Sequence, residues 1–266
     1  MGGNEGEKCR YNVRLDTYGC GCQHNCAYCY ARSLLQFRGL WDPSAPRVAD
    51  IGKIRRKIPK LQKGAVIRLG GMTDCFQPLE EKYRVTYQTV ECLNEYGIPY
   101  LIVTKSHLVG EPEYMALFRK DLAHIQVSVT CLDDRTAALY EHASPPGKRL
   151  EALKRLKEVG FDATLRLSPL VEELMDFGAL NRMDTGRVLV EFLRASHWVK
   201  EAFPMADYGK YTYRQGGYVH LPLEEKIRII SRIRHPVTVC EDVTGHYEYW
   251  KRHVNPDPED CCNLRT

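Results

Sequence analysis

Short apolar runs alternate with amphipathic stretches along most of the 266-residue chain, and this alternation narrows the possible folds more than any other feature. Runs typical of buried strands lie at 65–69, 100–103, 125–130, 163–167, 187–192 and 237–240. Helical spacing lies between them, at 82–96, 112–122, 148–159 and 223–234. Gly97 and Gly160 follow two of these helices, where glycine commonly ends a helix. Strands and helices that alternate at this pitch predict an α/β fold, a full or partial (β/α) barrel with a parallel sheet.

The sequence divides into three regions. We expect an N-terminal extension over 1–18, with a short strand at 11–15, then the barrel over 19–242, and an irregular polar tail over 243–266. Inside the barrel region, residues 208–220 alternate aromatic and other side chains around two adjacent glycines. That pattern is typical of a β-hairpin.

Charge and hydropathy limit the partners. The net charge of +4, from 38 basic and 34 acidic residues, permits a nucleic-acid partner without requiring one. No apolar run approaches the length of a membrane helix, and the polar residues 1–6 lack the apolar core of a signal peptide. We therefore expect a cytoplasmic protein without a membrane partner; composition predicts no oligomeric state.

Three of the eleven cysteines, Cys22, Cys26 and Cys29, are spaced C-x3-C-x2-C. One tight loop with this spacing can present three thiolates to a [4Fe–4S] cluster and leave the fourth iron open. Catalytic metal sites keep such an open position for a cofactor or substrate. S-adenosylmethionine can chelate that iron, and reduction of its sulfonium yields a 5′-deoxyadenosyl radical that abstracts hydrogen. The spacing therefore predicts a radical enzyme with these two cofactors.

The alternative from another class is a zinc-stabilised nucleic-acid-binding module without catalysis. Cys26 and Cys29 would form half of its site, completed by Cys20, Cys22 or His24. A zinc ribbon needs a second C-x2-C pair about 15–20 residues further on. The sequence contains no second pair, which favours the iron–sulfur interpretation.

Segment 21–32 resembles the cluster loop of the radical SAM superfamily and, more narrowly, that of the spore photoproduct lyase family. In that family tyrosines flank the last cluster cysteine, as Tyr28 and Tyr30 do here. Segment 70–80 is similar to a second stretch of lyase-like relatives, in which threonine and aspartate are followed by an aromatic residue, Gln-Pro and a glutamate. The resemblance implies a partial (β/α)6 TIM-type barrel, one [4Fe–4S] cluster, S-adenosylmethionine, and an electron donor such as flavodoxin or ferredoxin.

The resemblance also implies that Tyr28 and Tyr30 lie beside the cofactor, and that four side chains contact it from successive strand ends, namely Thr73, Asp74, Lys105 and Ser128. Polar residues that follow apolar strands face the mouth of a barrel, where function lies. Lys105 suits the methionine carboxylate, and Arg166 is a candidate contact for the cofactor ribose or the substrate. For Thr73 and Ser128, ordinary strand capping explains the sequence equally well.

One position departs from the lyase pattern. In the lyase, a cysteine just before the equivalent of Thr73 and Asp74 returns hydrogen to the product radical, and Met72 stands there in this sequence. Cys75 is a candidate substitute because a thiol readily gives up a hydrogen atom, and it joins Tyr28 and Tyr30 as a candidate catalytic residue. The alternative for Cys75 is a buried small apolar residue.

The predicted hairpin supplies candidate substrate contacts in Tyr211, Tyr213 and Arg214. Exposed tyrosines can stack on bases and arginine can bind phosphate. The lyase family has a similar hairpin, and the basic run 53–63 adds cations. We therefore predict a radical SAM enzyme that repairs or modifies a base of DNA or RNA. A peptide or small metabolite is the alternative substrate, and tyrosines packed on the barrel are the alternative role for the hairpin.

Four further cysteines leave two interpretations open. Cys20, Cys240, Cys261 and Cys262 could form a second metal site or a redox pair. Alternatively, the tail covers the barrel and its thiols are buried.

Overall fold

The computed structural model describes residues 10–62, 64–262 and 264. Residues 1–9 of the predicted extension, Lys63 of the basic run, and residues 263, 265 and 266 of the predicted tail lie outside the described residues. No helix in the described part of the chain is both long enough and apolar enough to cross a membrane.

Eleven strands and eleven α-helices are assigned within these residues. The strands are β1 (Arg14–Leu15), β2 (Tyr18–Gly19), β3 (Arg47–Val48), β4 (Ile67–Leu69), β5 (Tyr100–Thr104), β6 (Ala123–Val129), β7 (Asp162–Leu170), β8 (Val188–Phe192), β9 (Tyr213–Gln215), β10 (Tyr218–His220) and β11 (Val237–Val239). The helices are α1 (Tyr30–Phe37), α2 (Ile51–Lys57), α3 (Leu79–Tyr83), α4 (Val85–Glu95), α5 (Pro112–Leu117), α6 (Asp134–Ala137), α7 (Pro146–Val159), α8 (Phe177–Leu180), α9 (His197–Ala202), α10 (Leu223–Ile230) and α11 (Thr244–His253).

Seven of the strands form one parallel sheet in the order β1-β4-β5-β6-β7-β8-β11. The two edge strands, β1 and β11, are not paired with each other among the described residues. The sheet is therefore an open, partial barrel, which confirms the predicted α/β class. All seven residues of β6 are buried, as expected for a central parallel strand covered on both faces.

Two predicted helices differ from the observed ones. The predicted helix at 82–96 is split because Arg84 adopts a left-handed conformation (φ 51°), which separates α3 from α4. The predicted helix at 112–122 ends at Leu117. The apolar spacing extends past Leu117 because Phe118 is also buried, although it lies outside the helix. Its ring packs against Tyr114, Tyr100 and Phe161.

Alternate residues of the strands supply two cores. Tyr100 and Ile102 of β5 pack in the larger core beneath the helices, whereas Leu101 packs in a smaller one. Successive residues of a strand point to opposite faces, so the smaller core lies on the concave face of the sheet. Cys262 packs in this concave core beside Leu101 and Leu189, so the end of the chain covers that face.

The prediction of an irregular tail directly after Val243 is wrong, because α11 occupies Thr244–His253. The ring of Trp250 is fully buried, and its Nε1 donates to Glu241 Oε2 at 3.5 Å. Glu241 also forms an ion pair with the buried Lys226 of α10. The helix escaped prediction because it contains few aliphatic residues, and its packing depends on aromatic and charged partners far along the chain.

We expect Trp250→Ala to lower the free energy of unfolding by about 3–5 kcal/mol, the usual loss for a large buried ring. Guanidinium chloride unfolding followed by circular dichroism measures it. Trp198→Ala is the matched control: that ring is 49% exposed, so its removal should cost less than about 1 kcal/mol. Equal losses in the two variants would contradict the packing of α11 described here.

Candidate active site

One cavity of about 190 Å³ opens where the parallel strands end. The loop between β2 and α1, which we call the cluster loop, forms one wall, and the ends of β4 to β8 form the others. The cavity brings together the three predicted cluster cysteines and every predicted cofactor contact: Cys22, Cys26, Cys29, Tyr28, Tyr30, Thr73, Asp74, Lys105, Ser128 and Arg166. These residues come from five separate segments of the sequence.

The cluster loop is tightly wound. Asn25 has a positive φ of 39°, and its N–H donates to the carbonyl of Cys22 at 3.0 Å. At Gly21 any Cβ would lie 2.0 Å from the carbonyl oxygen of Asp42, so only glycine fits there. Helix α1 begins directly after Cys29, whose Sγ accepts from the N–H of Arg32 at 3.5 Å. These turns hold the three thiols toward the cavity.

Asp74 connects the cluster loop to the sheet. Its carboxylate lies 3.3 Å from His24 Nε2 in the loop and accepts from Thr104 Oγ1 at 2.8 Å and from the N–H of Lys105 at 2.7 Å. Burial alone would raise the pKa of Asp74, but His24 and the backbone donors hold it below its ordinary value. The group therefore stays ionised and keeps its donors.

The donor set fits an iron–sulfur cluster. Burial raises the pKa of the Cys22 thiol to about 12 and also raises the pKa values of Cys26 and Cys29. Three buried thiolates therefore need a strongly positive partner, which iron ions supply. Among the described residues, the three sulfurs do not lie within 4.8 Å of one another. A single zinc ion, with Zn–S bonds of about 2.3 Å, needs sulfurs about 4 Å apart, so the geometry disfavours the zinc alternative.

A buried ionic pair supports the far side of the cluster loop. The hydroxyl of Tyr28 donates to Glu141, which also pairs with Arg149. The Sγ of Cys26 lies 4.0 Å from Glu141 Oε2. Sequence reasoning missed Glu141 and Arg149 because they lie more than a hundred residues from the cysteines and belong to no recognisable motif.

Lys105 lies in the wall of the cavity. Its Nζ donates to Ser128 Oγ at 2.8 Å and to the carbonyl of Ser168 at 2.6 Å, and it lies 5.4 Å from the centroid of the Tyr28 ring. Burial lowers the pKa of Lys105 from its ordinary value. The ammonium is thus fixed in place and faces the cavity.

Arg166 is largely committed within the protein. It donates to Gln126 Oε1 at 2.8 Å and to Glu191 Oε2 at 2.6 Å. Arg194 binds the other oxygen of Glu191 at 2.9 Å and lies 4.6 Å from the centroid of the Tyr30 ring. Glu191 and Arg194 also escaped prediction, since the sequence marks that segment only as an apolar strand.

Thr73 lines the cavity, but its hydroxyl is used as a structural tie. Its Oγ1 donates to the carbonyl of Tyr18 at 2.6 Å, just ahead of the cluster loop. The strand-capping alternative considered for this residue therefore matches its observed contact.

Cys75 does not reach the cavity. It is fully buried and absent from the cavity lining, and its carbonyl accepts from Thr86 Oγ1 at 2.6 Å. The predicted role as hydrogen donor is therefore not supported, because strand-to-helix packing turns this side chain into the larger core.

The predicted hairpin forms between β9 and β10, but Tyr211 lies before it and is buried. Its predicted role in stacking on a base is wrong, because its ring packs against Tyr208 in the core. Tyr213 and Arg214 are exposed on β9. None of the three lines the cavity, although Val219 of β10 exchanges two backbone hydrogen bonds with Ala195, next to cavity residue Arg194.

The remaining cysteines come together only in part. Cys240 and Cys261 share a hydrogen bond, as do Cys261 and Cys262, and all three pack on the concave core. Within the described chain, only His220, Glu241 and Asp242 bring three metal-binding atoms within 4.8 Å of one another. The arrangement thus gives no support to a single-ion site on Cys20, Cys240, Cys261 and Cys262, and matches a tail that covers the barrel.

Curated relatives match part of the chain. An uncharacterised protein of Acidianus two-tailed virus is 27% identical over 58% of this chain and 54% of its own length. The radical SAM Nalpha-GlyT isomerase of Pseudomonas phage M6 is 24% identical over 70% of this chain and 40% of its own length. The match therefore spans about half of these relatives or less.

Solved structures share the fold. Spore photoproduct lyase with bound AdoMet and dinucleoside spore photoproduct has a TM-score of 0.59 at 17% identity, covering 85% of this chain and 75% of that one. Streptococcus suis SuiB bound to precursor peptide SuiA has a TM-score of 0.58 at 13% identity, covering 89% and 51%.

The sequence model of the Radical SAM superfamily matches residues 17–176, more than half of the chain. This span contains the cluster loop and the strand ends that form most of the cavity. The chain therefore belongs to the radical SAM superfamily, a family that uses a [4Fe–4S] cluster and S-adenosylmethionine as cofactors.

Proposed function

We propose that this radical SAM enzyme acts on a base of DNA or RNA, in a repair or modification reaction. The observation that carries the proposal is the hairpin at the rim of the cavity. It exposes Tyr213 and Arg214, and the bridge between Val219 and Ala195 holds it beside the cavity lining. An aromatic ring and a guanidinium so placed suit a base and a phosphate. The shared fold with a lyase bound to a dinucleoside supports the same substrate class.

Cys22, Cys26 and Cys29 would hold the cluster. When bound, the cluster and S-adenosylmethionine supply a 5′-deoxyadenosyl radical, with the electron provided by a flavodoxin or ferredoxin. The protein's own contribution is to bind, orient and exclude water. We assign Lys105 to the methionine carboxylate because its ammonium faces the cavity. Its two acceptors in the protein are neutral oxygens, which do not cancel its charge. Burial lowers the pKa of Lys105 from its ordinary value.

The other cavity residues shape the cofactor site. Tyr28 and Tyr30 supply rings beside Lys105 and Arg194, respectively. Asp74, Ser128 and Arg166 hold the strand ends in position through the bonds described above, and Thr73 does so for the start of the cluster loop. A site whose side chains are fixed before ligand binding loses little free energy in reorganising.

A peptide is the second candidate substrate. The structure of SuiB with its precursor peptide covers 89% of this chain. A parent protein that binds no oligonucleotide in the last test below would favour this alternative.

Cys26→Ala should abolish cluster binding. Under anaerobic reconstitution we expect about four irons per chain and absorbance near ~400 nm in the parent protein, and loss of both in the variant. Release of 5′-deoxyadenosine after dithionite reduction should vanish with them. Cys92→Ala, which removes a buried thiol on α4 outside the cavity lining, should keep the cluster. Full iron content in Cys26→Ala would contradict the ligand assignment.

Lys105→Met should weaken S-adenosylmethionine binding on the order of tenfold or more, since a charge-assisted hydrogen bond is lost. Equilibrium dialysis with the reconstituted protein measures the dissociation constant. Lys120→Met removes an exposed lysine outside the cavity lining and should leave the constant unchanged. An unchanged constant in Lys105→Met would assign the carboxylate to another residue.

Tyr213→Ala and Arg214→Ala should weaken oligonucleotide binding, by loss of stacking worth about 1–3 kcal/mol in the first. The second should reduce the slope of log affinity against log salt by about one. Fluorescence anisotropy across a salt series measures both. Tyr96→Ala and Arg155→Ala are controls, since these exposed residues lie outside the cavity lining and the hairpin. A parent protein that binds no oligonucleotide at low salt would overturn the proposed substrate class.

A further inference from the structure

Two arginines lie side by side on the concave face of the sheet. Arg14 of β1 and Arg68 of β4 are register partners. Ile67 and Leu69 are fully buried in the larger core, so Arg68 between them points to the opposite, concave face. Arg68 also lines the cavity, and its register partner on the other side is Leu101, which precedes Lys105 by four positions. Its backbone therefore lies deeper than the strand-end residues.

Arg14 approaches the same part of the cavity wall. Gly71 lines the cavity, and a Cβ at that position would lie 2.9 Å from Arg14 Cδ and 3.3 Å from Arg14 Nη1. A side chain at position 71 would displace the guanidinium, so the glycine leaves room for it. Asp16 also borders this point, with its Oδ1 at 3.3 Å from the same position.

Neither arginine has an ionic partner within the described residues. The Nε atom of each is buried and without an acceptor. The other cations that line the cavity are engaged, Arg166 and Arg194 by Glu191 and Lys105 by two oxygens. Of the three arginines that line the described cavity, Arg68 is thus the one without a carboxylate partner.

This arrangement is electrostatically incomplete. Neighbouring strands lie about 5 Å apart, so two guanidinium groups in register repel each other. A partly buried charge that has no carboxylate partner among the described residues costs free energy. The hydrogen bond with Cys261 is the main cause that lowers the pKa of the Cys240 thiol to about 7, and the charges of the nearby Arg166 and Arg68 lower it further. An oxyanion between the two arginines would compensate both.

We propose that Arg14 and Arg68 form a binding site for an oxyanion of the substrate, a phosphate or a carboxylate, at the inner end of the cavity. The planar guanidinium fork binds either group through two parallel hydrogen bonds. The inference rests on the proposed function in taking the substrate to be a nucleotide or modified nucleoside unit. The proposal adds that this unit carries a negative charge, which enters the cavity together with the unit.

The test compares neutral and anionic probes on the reconstituted enzyme with S-adenosylmethionine bound. Thymidine is the neutral probe; thymidine 5′-monophosphate carries a phosphate, and 5-carboxymethyl-2′-deoxyuridine a carboxylate on the base. We expect one anionic probe to bind on the order of 10- to 100-fold more tightly than thymidine, and the probe that does so identifies the source of the oxyanion. Arg68→Gln and Arg14→Gln should each remove most of that advantage.

Arg187→Gln is the matched control. Its Nη1 is also buried without an acceptor, but Arg187 precedes β8, at the opposite end of the strands from the cavity mouth. It should keep the full advantage. An advantage retained in Arg68→Gln would overturn the proposal, and so would a loss of S-adenosylmethionine affinity alone, which would place the cofactor carboxylate at this site.

A labelling experiment on the unaltered protein covers the case in which the variants fail to fold. Phenylglyoxal modifies accessible arginines, and mass spectrometry measures its rate at Arg68 with and without inorganic phosphate or acetate. We expect either anion to slow modification severalfold. If the anions protect Arg68 while no nucleoside binds, the oxyanion site stands and the nucleic-acid proposal fails. If nucleosides bind without an anionic advantage and neither anion protects, the oxyanion site alone fails.

Discussion

The arrangement of the active site depends on the hydrogen bonds of the Asp74 carboxylate. It receives hydrogen bonds from the end of β5 and from the turn after β4, and it faces His24 in the cluster loop. A buried carboxylate persists only when enough donors surround it. Here the donors come from three segments that are far apart in sequence. Because the carboxylate needs all of these donors, it holds the three segments together. The cluster loop has no sheet partner for most of its length, and this contact sets its position over the strand ends.

A second set of buried charges fixes the rest of the cavity wall. Glu141 ties Tyr28 to Arg149, and Glu191 lies between Arg166 and Arg194. Each carboxylate is satisfied by partners on different elements, so removal of one partner would leave a buried charge uncompensated. These pairs therefore tie the elements of the cavity wall to one another. In contrast to these arginines, Arg14 and Arg68 each have a buried Nε without an acceptor among the described residues.

Local patterns predicted most of the scaffold and the grouping of three cysteines at one cavity. The strand rhythm predicted the parallel sheet because buried strands must be apolar on both faces, and the spacing of Cys22, Cys26 and Cys29 predicted their shared cavity because one loop carries all three. Long-range packing was beyond such patterns. The burial of Tyr211, the helix around Trp250 and the pair of Glu141 with Arg149 all depend on partners distant in sequence. The residues next to them in the sequence give no indication of those partners.

The placement of Cys75 changes the chemistry that the resemblance to the lyase family implies. Among the described residues that line the cavity, the only cysteines are Cys22, Cys26 and Cys29, and all three are the proposed cluster ligands. Met72 lines the cavity, but a thioether has no S–H hydrogen to return to a product radical. The hydroxyl of Tyr28 is committed to Glu141. A reaction that ends with hydrogen return from a protein thiol therefore lacks its donor, and this favours base modification over lyase-type repair within the proposed function.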